Sequence, residues 1–249
     1  MILRSHANLA DSEWVPATHR AGVYAEQRFR SGLRNWRRRA LPRMAIATLP
    51  FCAVYLAAAV LFGGNMLWFG AGLICGVVMT VGLVVWENPP WDVLKWGVGA
   101  EGERRTEDQL RRLEHEGWSI VHDFQRFRGN DDHVVSGPSG VYLLETKALR
   151  GTISIEDGVL TTRSFDDPRN VNRWTQLGET LPRRARELSV AARQQVDERV
   201  WVQPVVVVWG DFAYEPSEVD GVAYVRGDSL VEWLRSRPTR RVELTVATT

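Results

Sequence analysis

The chain has 249 residues, enough for one domain and an appendage, and its formal net charge is +1. That near balance hides an asymmetry: residues 1–43 hold nine arginines against Asp11, Glu13 and Glu26, whereas residues 97–249 hold 21 basic and 25 acidic side chains. Two cysteines and five histidines without ligand spacing exclude a zinc-built fold, and no internal repeat or low-complexity segment is present.

The first element is a basic arm, residues 1–43. Phe29, Leu33, Trp36 and Ala40 recur at steps of four, three and four, with arginines between them. This pattern suits a helix lying on an anionic membrane surface, and an arginine-rich arm touching nucleic acid is the competing reading. An apolar hairpin follows over residues 44–88. Met44 to Gly63 and Met66 to Trp86 carry no charge, and each is long enough to cross a hydrocarbon core of about 30 Å at 1.5 Å rise per residue. Pro50 is tolerated in such a span. Ala53 with Ala57, and Gly72 with Gly76, form small-xxx-small steps that favour close helix packing, including self-association. Cys52 and Cys75 lie inside the spans as small apolar fillers. The arginines crowd one side of the first span and the turn Gly64-Asn65 is uncharged, so both termini are expected in the cytoplasm, with the hairpin in the cell (inner) membrane.

Pro89-Pro90 opens a linker over residues 89–97. The composition of an α/β domain then runs over residues 98–240, with a tail at 241–249. Glu101 to Glu116 is expected to be helical, with acids in its first turn, and Trp118 to Phe124 to be a strand. Next comes DDHVVSGPSGVYLLETK, residues 131–147, a hairpin around a Gly-Pro-Ser-Gly turn. Thr152–Ile155 and Val159–Thr162 make a second hairpin around Glu156-Asp157-Gly158. Residues 172–196 are helical in composition, interrupted or restarted at Pro182. Val205–Trp209 is a strand buried on both faces, and Asp228 is expected to cap a final short helix.

The hairpin carries the chemistry. If Pro138-Ser139 is the loop, Gly137 pairs with Gly140, Ser136 with Val141, and Asp132 falls opposite Glu145. Paired Cβ atoms lie about 5 Å apart on one face, and Lys147 shares the face of Glu145. Opposed carboxylates repel, so a divalent cation is an apt compensator; Mg²⁺ takes one or two carboxylates and adds phosphate oxygens. The plain alternatives are a strand-terminating Asp132 and a solvated Glu145–Lys147 pair, and a one-residue slip would put Asp131 on the shared face. Gly97 to Gly102 matches G-x-G-x-x-G with Asp123 downstream, but it follows a membrane span rather than a parallel strand. Ser139 sits in a turn, not on a strand-to-helix elbow.

These residues resemble the nuclease-related domain family (NERD), a branch of the PD-(D/E)xK nuclease superfamily. The resemblance rests on Gly99-Ala100-Glu101-Gly102-Glu103, on Asp132-His133-Val134-Val135 with Gly137-Pro138-Ser139-Gly140-Val141, and on Glu145-Thr146-Lys147 with Gly151. It continues more faintly through Gln176 and the Val205–Val208 strand, covering most of residues 98–235. The family more usually shows Asp-x-Asp-His where this chain has Asn130-Asp131-Asp132-His133, which favours Asp132 over Asp131 as the acting carboxylate. The resemblance implies an α/β fold, a mixed central sheet flanked by helices in restriction-endonuclease-like fashion, preceded here by two transmembrane helices. It implies that Asp132, Glu145 and the Thr146 carbonyl hold Mg²⁺ or Mn²⁺, that Lys147 orients water and stabilises the phosphorane charge, that Glu103 ligates the ion or orients a water bound to it, and that Gln176 supports the site. His133 is expected to be structural. Arg169, Arg173, Arg183 and Arg184 could track a phosphate backbone, although such a run also suits a solvated helix face. The expected function is membrane-anchored, metal-dependent hydrolysis of DNA, with RNA as a second substrate class. The alternative is an idle domain of the same fold that binds nucleic acid or protein at the bilayer.

Overall fold

The computed structural model describes residues 20–125, 130–196, 200–213 and 215–239. The first 19 residues of the arm and the tail at 241–249 lie outside the described residues. The chain divides into two compact units, one of Ala25–Gly97 and the other of Val98–Thr249 together with the segment ending at Tyr24.

In the first unit the arm and the first span form one helix, α1 (Val23–Phe62), which carries Pro42 and Pro50 without a break. Gly63 and Gly64, both at positive φ, turn the chain into α2 (Asn65–Glu87). Both helices are long and apolar enough to cross a membrane, and only 6% of each apolar window is buried. Leu61, Phe62 and Met66 near the turn are 77%, 81% and 82% exposed, a surface suited to lipid rather than water. The helices approach closely at Gly70, where an added Cβ would lie 2.3 Å from the Tyr55 hydroxyl. Gly72 and Gly76 instead have open space beside them. The arm half of α1 packs on the start of α3 (Trp91–Leu110): Phe29 lies against Gly97, Val93 against Gly32, and the Arg28 guanidinium over the Trp96 ring. Arg37 stacks at 4.0 Å over Trp86, a cation–π contact at the end of α2.

The second unit is a mixed sheet of eight strands between helices. Beyond the remainder of α3 and a 3₁₀ segment (Arg111–Glu116), β1 (Ser119–Gln125), β2 (Asn130–Gly137) and β3 (Gly140–Glu156) form an antiparallel meander. Its pairs Gly137–Gly140 and Ser136–Val141 are those the turn predicts. The 17-residue β3 is shared by two sheets' worth of partners. Its first half lies beside β2, and its second half pairs with β4 (Val159–Arg163), which pairs in turn with β5 (Val171–Arg173). The register shifts between Ala148 and Thr152, where Gly151 sits at φ 107 and any Cβ would strike the Arg163 carbonyl oxygen at 2.1 Å. The strand therefore bends just after Lys147.

The helix α4 (Thr175–Val196) crosses back, so that β6 (Val202–Phe212) runs parallel to β3, and β8 (Val222–Arg226) runs parallel to β6, with β7 (Ser217–Val219) at the edge. Pro182 lies inside α4 and does not interrupt it. The apolar run of β6 is central, as expected of a strand with two covered faces. Val205 and Val207 enter a core with Leu110, Leu113, Tyr142, Leu144 and the last helix, α5 (Leu230–Ser236). Val206 and Val208 enter a second core with Val134, Leu143 and the α4 residues Leu177, Leu181 and Ala185. Asp228 does not cap α5. A 3₁₀ turn (Gly227–Ser229) precedes that helix, Ser229 occupies the cap position, and Asp228 is drawn instead to Arg226 at 2.5 and 3.0 Å.

Residues before α1 belong to this second unit. The Ala21 N–H donates to Glu107 Oε2 and the Val23 N–H to Asp123 Oδ2, both at 2.9 Å. Gly22, at φ 75, lies so close to α3 that an added Cβ would meet the Ala100 carbonyl oxygen at 3.0 Å.

Candidate active site

The site grows from the far end of the β2–β3 hairpin. Paired residues run outward from the turn as far as His133 and Leu144. Beyond them the ladder opens, and the Asp132 carboxylate takes the place of a backbone acceptor: its Oδ2 receives the Thr146 N–H at 2.7 Å. Strand alternation sends Leu143, Glu145 and Lys147 to the α4 side of the sheet and Leu144 and Thr146 to the α3 side. Lys147 Nζ donates to Glu145 Oε1 at 2.5 Å. Its ammonium also lies 5.9 Å from the centre of the Trp174 ring, an aromatic wall just before α4.

The helix α3 brings Glu103. It approaches β3 closely because residue 102 is glycine: a Cβ there would lie 2.7 Å from that of Ala148. Thr106, fully buried one turn on, fixes the same approach by accepting from the Thr146 hydroxyl at 3.1 Å and from Trp209 Nε1 at 2.9 Å. Glu103 Oε2 is buried without a hydrogen-bond partner. Burial, with Asp123 and Glu145 as negative neighbours, lifts the Glu103 carboxyl to about 7. Asp132 is raised well above the carboxylate range by burial and by Glu145 and Glu103. For Glu145 burial acts in the same sense, but Lys147 and Arg184 outweigh it and hold the group below its ordinary value. Lys147 is raised, because Glu145 and Asp132 outweigh the effect of burial.

The arginines of the α4 region fall into two groups. Arg169, Arg173 and Arg183 are exposed. The Arg169 N–H donates to Asp167, Arg173 reaches Asp157 and the Glu156 carbonyl, and Arg183 lies 4.0 Å from Glu187. Arg184 is different. It shares the inward stripe of Leu177, Leu181, Ala185 and Leu188, and its guanidinium enters the cluster. Nε and Nη2 grip Asp131 Oδ1, with Nε at 2.6 Å, and Nη1 donates to Glu145 Oε2 at 2.8 Å. Gln176 is exposed in the first turn of α4, where its carbonyl accepts from Thr180.

Three further buried polar residues, Asp123, His122 and His133, are not assigned to the site from the sequence. Asp123, at φ 49, accepts from Val23 and from Asn130 Nδ2, and stands near enough to raise Glu103. His122 and His133 are cross-strand partners whose Nδ1 atoms lie 2.8 Å apart. Burial lowers both, His133 strongly, so two neutral rings share one proton between the facing nitrogens. The G-x-G-x-x-G match lies within α3 and forms no strand-to-helix turn, which excludes a dinucleotide cradle there.

Residues 98–209 match the family model of the nuclease-related domain (NERD). Over these residues the chain is similar to a nuclease-related domain. No curated protein and no solved structure matches the chain. The match takes in α3 from Val98 onward, the hairpin, α4 and the buried part of β6, so every member of the carboxylate–lysine cluster falls inside the nuclease-related domain.

The cluster can be tested for fit to a divalent cation. Its donors are hard oxygens, one of them an orphaned buried atom of Glu103, and the mutual repulsion of Glu103, Asp132 and Glu145 is the kind a cation relieves. As arranged here, both Glu145 oxygens are held by Lys147 and Arg184, and among the described residues no group of three His, Cys, Asp or Glu side chains converges to hold a metal. The residue types fit Mg²⁺ or Mn²⁺.

Proposed function

We propose that the chain is a membrane-anchored nuclease that hydrolyses phosphodiester bonds of DNA with the help of Mg²⁺ or Mn²⁺. The observation that carries this reading is the buried cluster of Glu103, Asp132 and Glu145 around Lys147, within the matched nuclease-related domain. Asp132, Glu145 and the Thr146 carbonyl would hold the ion, with Glu103 as a further ligand or as the group that orients a water. When bound, such an ion polarises a phosphoryl oxygen and lowers the pKa of water. The chain's own groups do the rest. Glu145 keeps Lys147 charged, and Lys147 offers its protons to the attacking water and to the charge developing on the phosphoryl oxygens. Glu103, titrating near neutrality, is matched to accepting or returning a proton at its orphaned oxygen. Arg169, Arg173 and Arg183 lie exposed and would follow the backbone of the nucleic acid, and Gln176 would support the site from the start of α4.

The arginines of the arm support a cytoplasmic placement of both termini, with the hairpin in the inner membrane. Gly72 and Gly76, with open space beside them, would serve self-association of the spans.

A specific observation favours a second reading: Glu145 is saturated by two cations, and the described residues hold no ready three-ligand set. An idle nuclease fold that binds nucleic acid or protein at the bilayer would look this way.

The test uses the full chain in detergent micelles. It is incubated with supercoiled plasmid, linear duplex, single-stranded DNA and RNA in Mg²⁺, Mn²⁺ or EDTA, beside Glu145→Ala and Lys147→Ala. Cleavage lost in EDTA and in both variants is the expected result. A folded chain that cuts nothing, or that cuts regardless of both substitutions, moves the assignment to the binding module.

A further inference from the structure

Arg184 is the one basic side chain of α4 that lies on the core-facing stripe and within the carboxylate cluster, and its guanidinium is bonded asymmetrically. Two of its nitrogens grip Asp131, which is 1% exposed, and Nη2 also lies 3.4 Å from the Asn130 carbonyl oxygen. Only Nη1 reaches Glu145. A guanidinium can thus leave Glu145 while Asp131 still holds it. Glu145, like Asp132, is the first residue beyond the last pair of the hairpin, His133–Leu144, where a cation would enter.

We propose that Arg184 is the resident counter-ion of the site: Nη1 neutralises Glu145 in the cation-free protein and yields it to a divalent cation on binding, while Asp131 serves as the tether that keeps the guanidinium in place. This inference rests on the reading of the cluster as a divalent-cation site. Three consequences follow from the charges. Without a cation, Arg184 adds a second positive charge to the one that Lys147 already supplies to Glu145. With one, its positive charge a few ångströms away opposes entry, so Arg184 sets the affinity as well as the order of the empty site. Asp131, adjacent to Asp132 in sequence, belongs to the arginine and not to the ion.

The test is Mn²⁺ binding to the full chain in detergent micelles, read from the loss of the free-ion electron paramagnetic resonance signal, with no substrate present. Arg184→Gln is expected to bind Mn²⁺ about tenfold tighter than the unaltered chain, or more. It should also melt at a lower temperature in EDTA and regain more of that loss on adding Mn²⁺. Arg184→Lys keeps the charge but cannot bridge two carboxylates, and is expected to bind about threefold tighter; it keeps the test decisive if Arg184→Gln does not fold. Glu145→Gln is expected to lose binding about tenfold or more. Unchanged or weaker binding in both Arg184 variants, with Glu145→Gln impaired, overturns the counter-ion and leaves the cation site standing. Binding indifferent to Glu145→Gln, or absent from every variant, sinks the cation reading and this inference with it.

Discussion

Asp131 and Asp132 are neighbours in sequence and serve different masters: Asp131 is gripped by Arg184 of α4, whereas Asp132 accepts the Thr146 N–H of the adjacent strand. Successive residues of a strand face opposite ways, so two consecutive carboxylates cannot both line one pair of strands unless the ladder opens. Here it opens after His133–Leu144. The two isosteric substitutions should therefore separate. Asp132→Asn is expected to reduce plasmid cleavage about 100-fold or more while leaving the melting temperature unchanged or higher, because the amide replaces a buried carboxyl whose charged form is already disfavoured. Asp131→Asn should lower the melting temperature, because it leaves the Arg184 guanidinium partly unpaired at a cost of about 3 kcal/mol, and should depress cleavage less. Parallel melting curves and cleavage rates check both.

Glu103 gives a pH signature. The folded protein holds this proton up to about pH 7, whereas an ordinary glutamate releases it near 4.5. The folded state therefore binds more protons than the unfolded one between those values, and stability falls as pH rises through the window. The accumulated cost above pH 7 is about 3 kcal/mol, from a shift of that size. Glu103→Gln should remove it, raising the melting temperature at pH 8 and changing it little at pH 4.5, while reducing cleavage. A pH-independent difference between the two proteins would mean that Glu103 is not the group responsible.

Lys147 is the third case. Lys147→Met keeps much of the length of the side chain and its contact with Trp174 but removes the charge, leaving Glu145 to Arg184 alone. Cleavage should fall about 100-fold or more, with KM changed much less than kcat, if the ammonium acts on the developing charge rather than on the bound substrate. A loss confined to KM would recast Lys147 as a binding group.

The approach of α3 to β3 depends on a missing methyl group. Gly102→Ala places a Cβ about 2.7 Å from that of Ala148, so one element must shift, at a cost of about 1–3 kcal/mol. Removing the opposing methyl with Ala148→Gly should return much of that loss. The pair is expected to be non-additive in thermal denaturation, and cleavage should follow the same order if the approach also sets Glu103.

The hairpin register was legible in the sequence as far as His133–Leu144 because one turn fixes it, and the two long apolar helices were legible because length and the absence of charge suffice. The central place of β6 followed from its unbroken valines. In the sequence Arg184 reads as a phosphate contact and not as a partner of the carboxylates because it lies in a run with Arg183 and Arg186. Helical spacing on Leu177, Leu181 and Leu188 would have put it on the inward stripe, where an arginine needs carboxylates. Asp123 escaped because its partner Val23 is 100 residues away, and no local pattern encodes so distant a bond. The short strands β5 and β7 escaped because three residues carry no periodicity.

The contact of Gly22 with Ala100 has a topological consequence. The chain leaves the sheet-bearing unit beside Ala100, travels through two long helices, and returns at Val98 to almost the same spot. The pair of long apolar helices is in that sense a graft, spliced into a loop whose two ends lie close together. Cutting out residues 25–97 and bridging the gap with a few glycines and serines should yield a water-soluble body that keeps the donors of Ala21 and Val23 for Glu107 and Asp123. Simply starting the chain at Val98 would discard both.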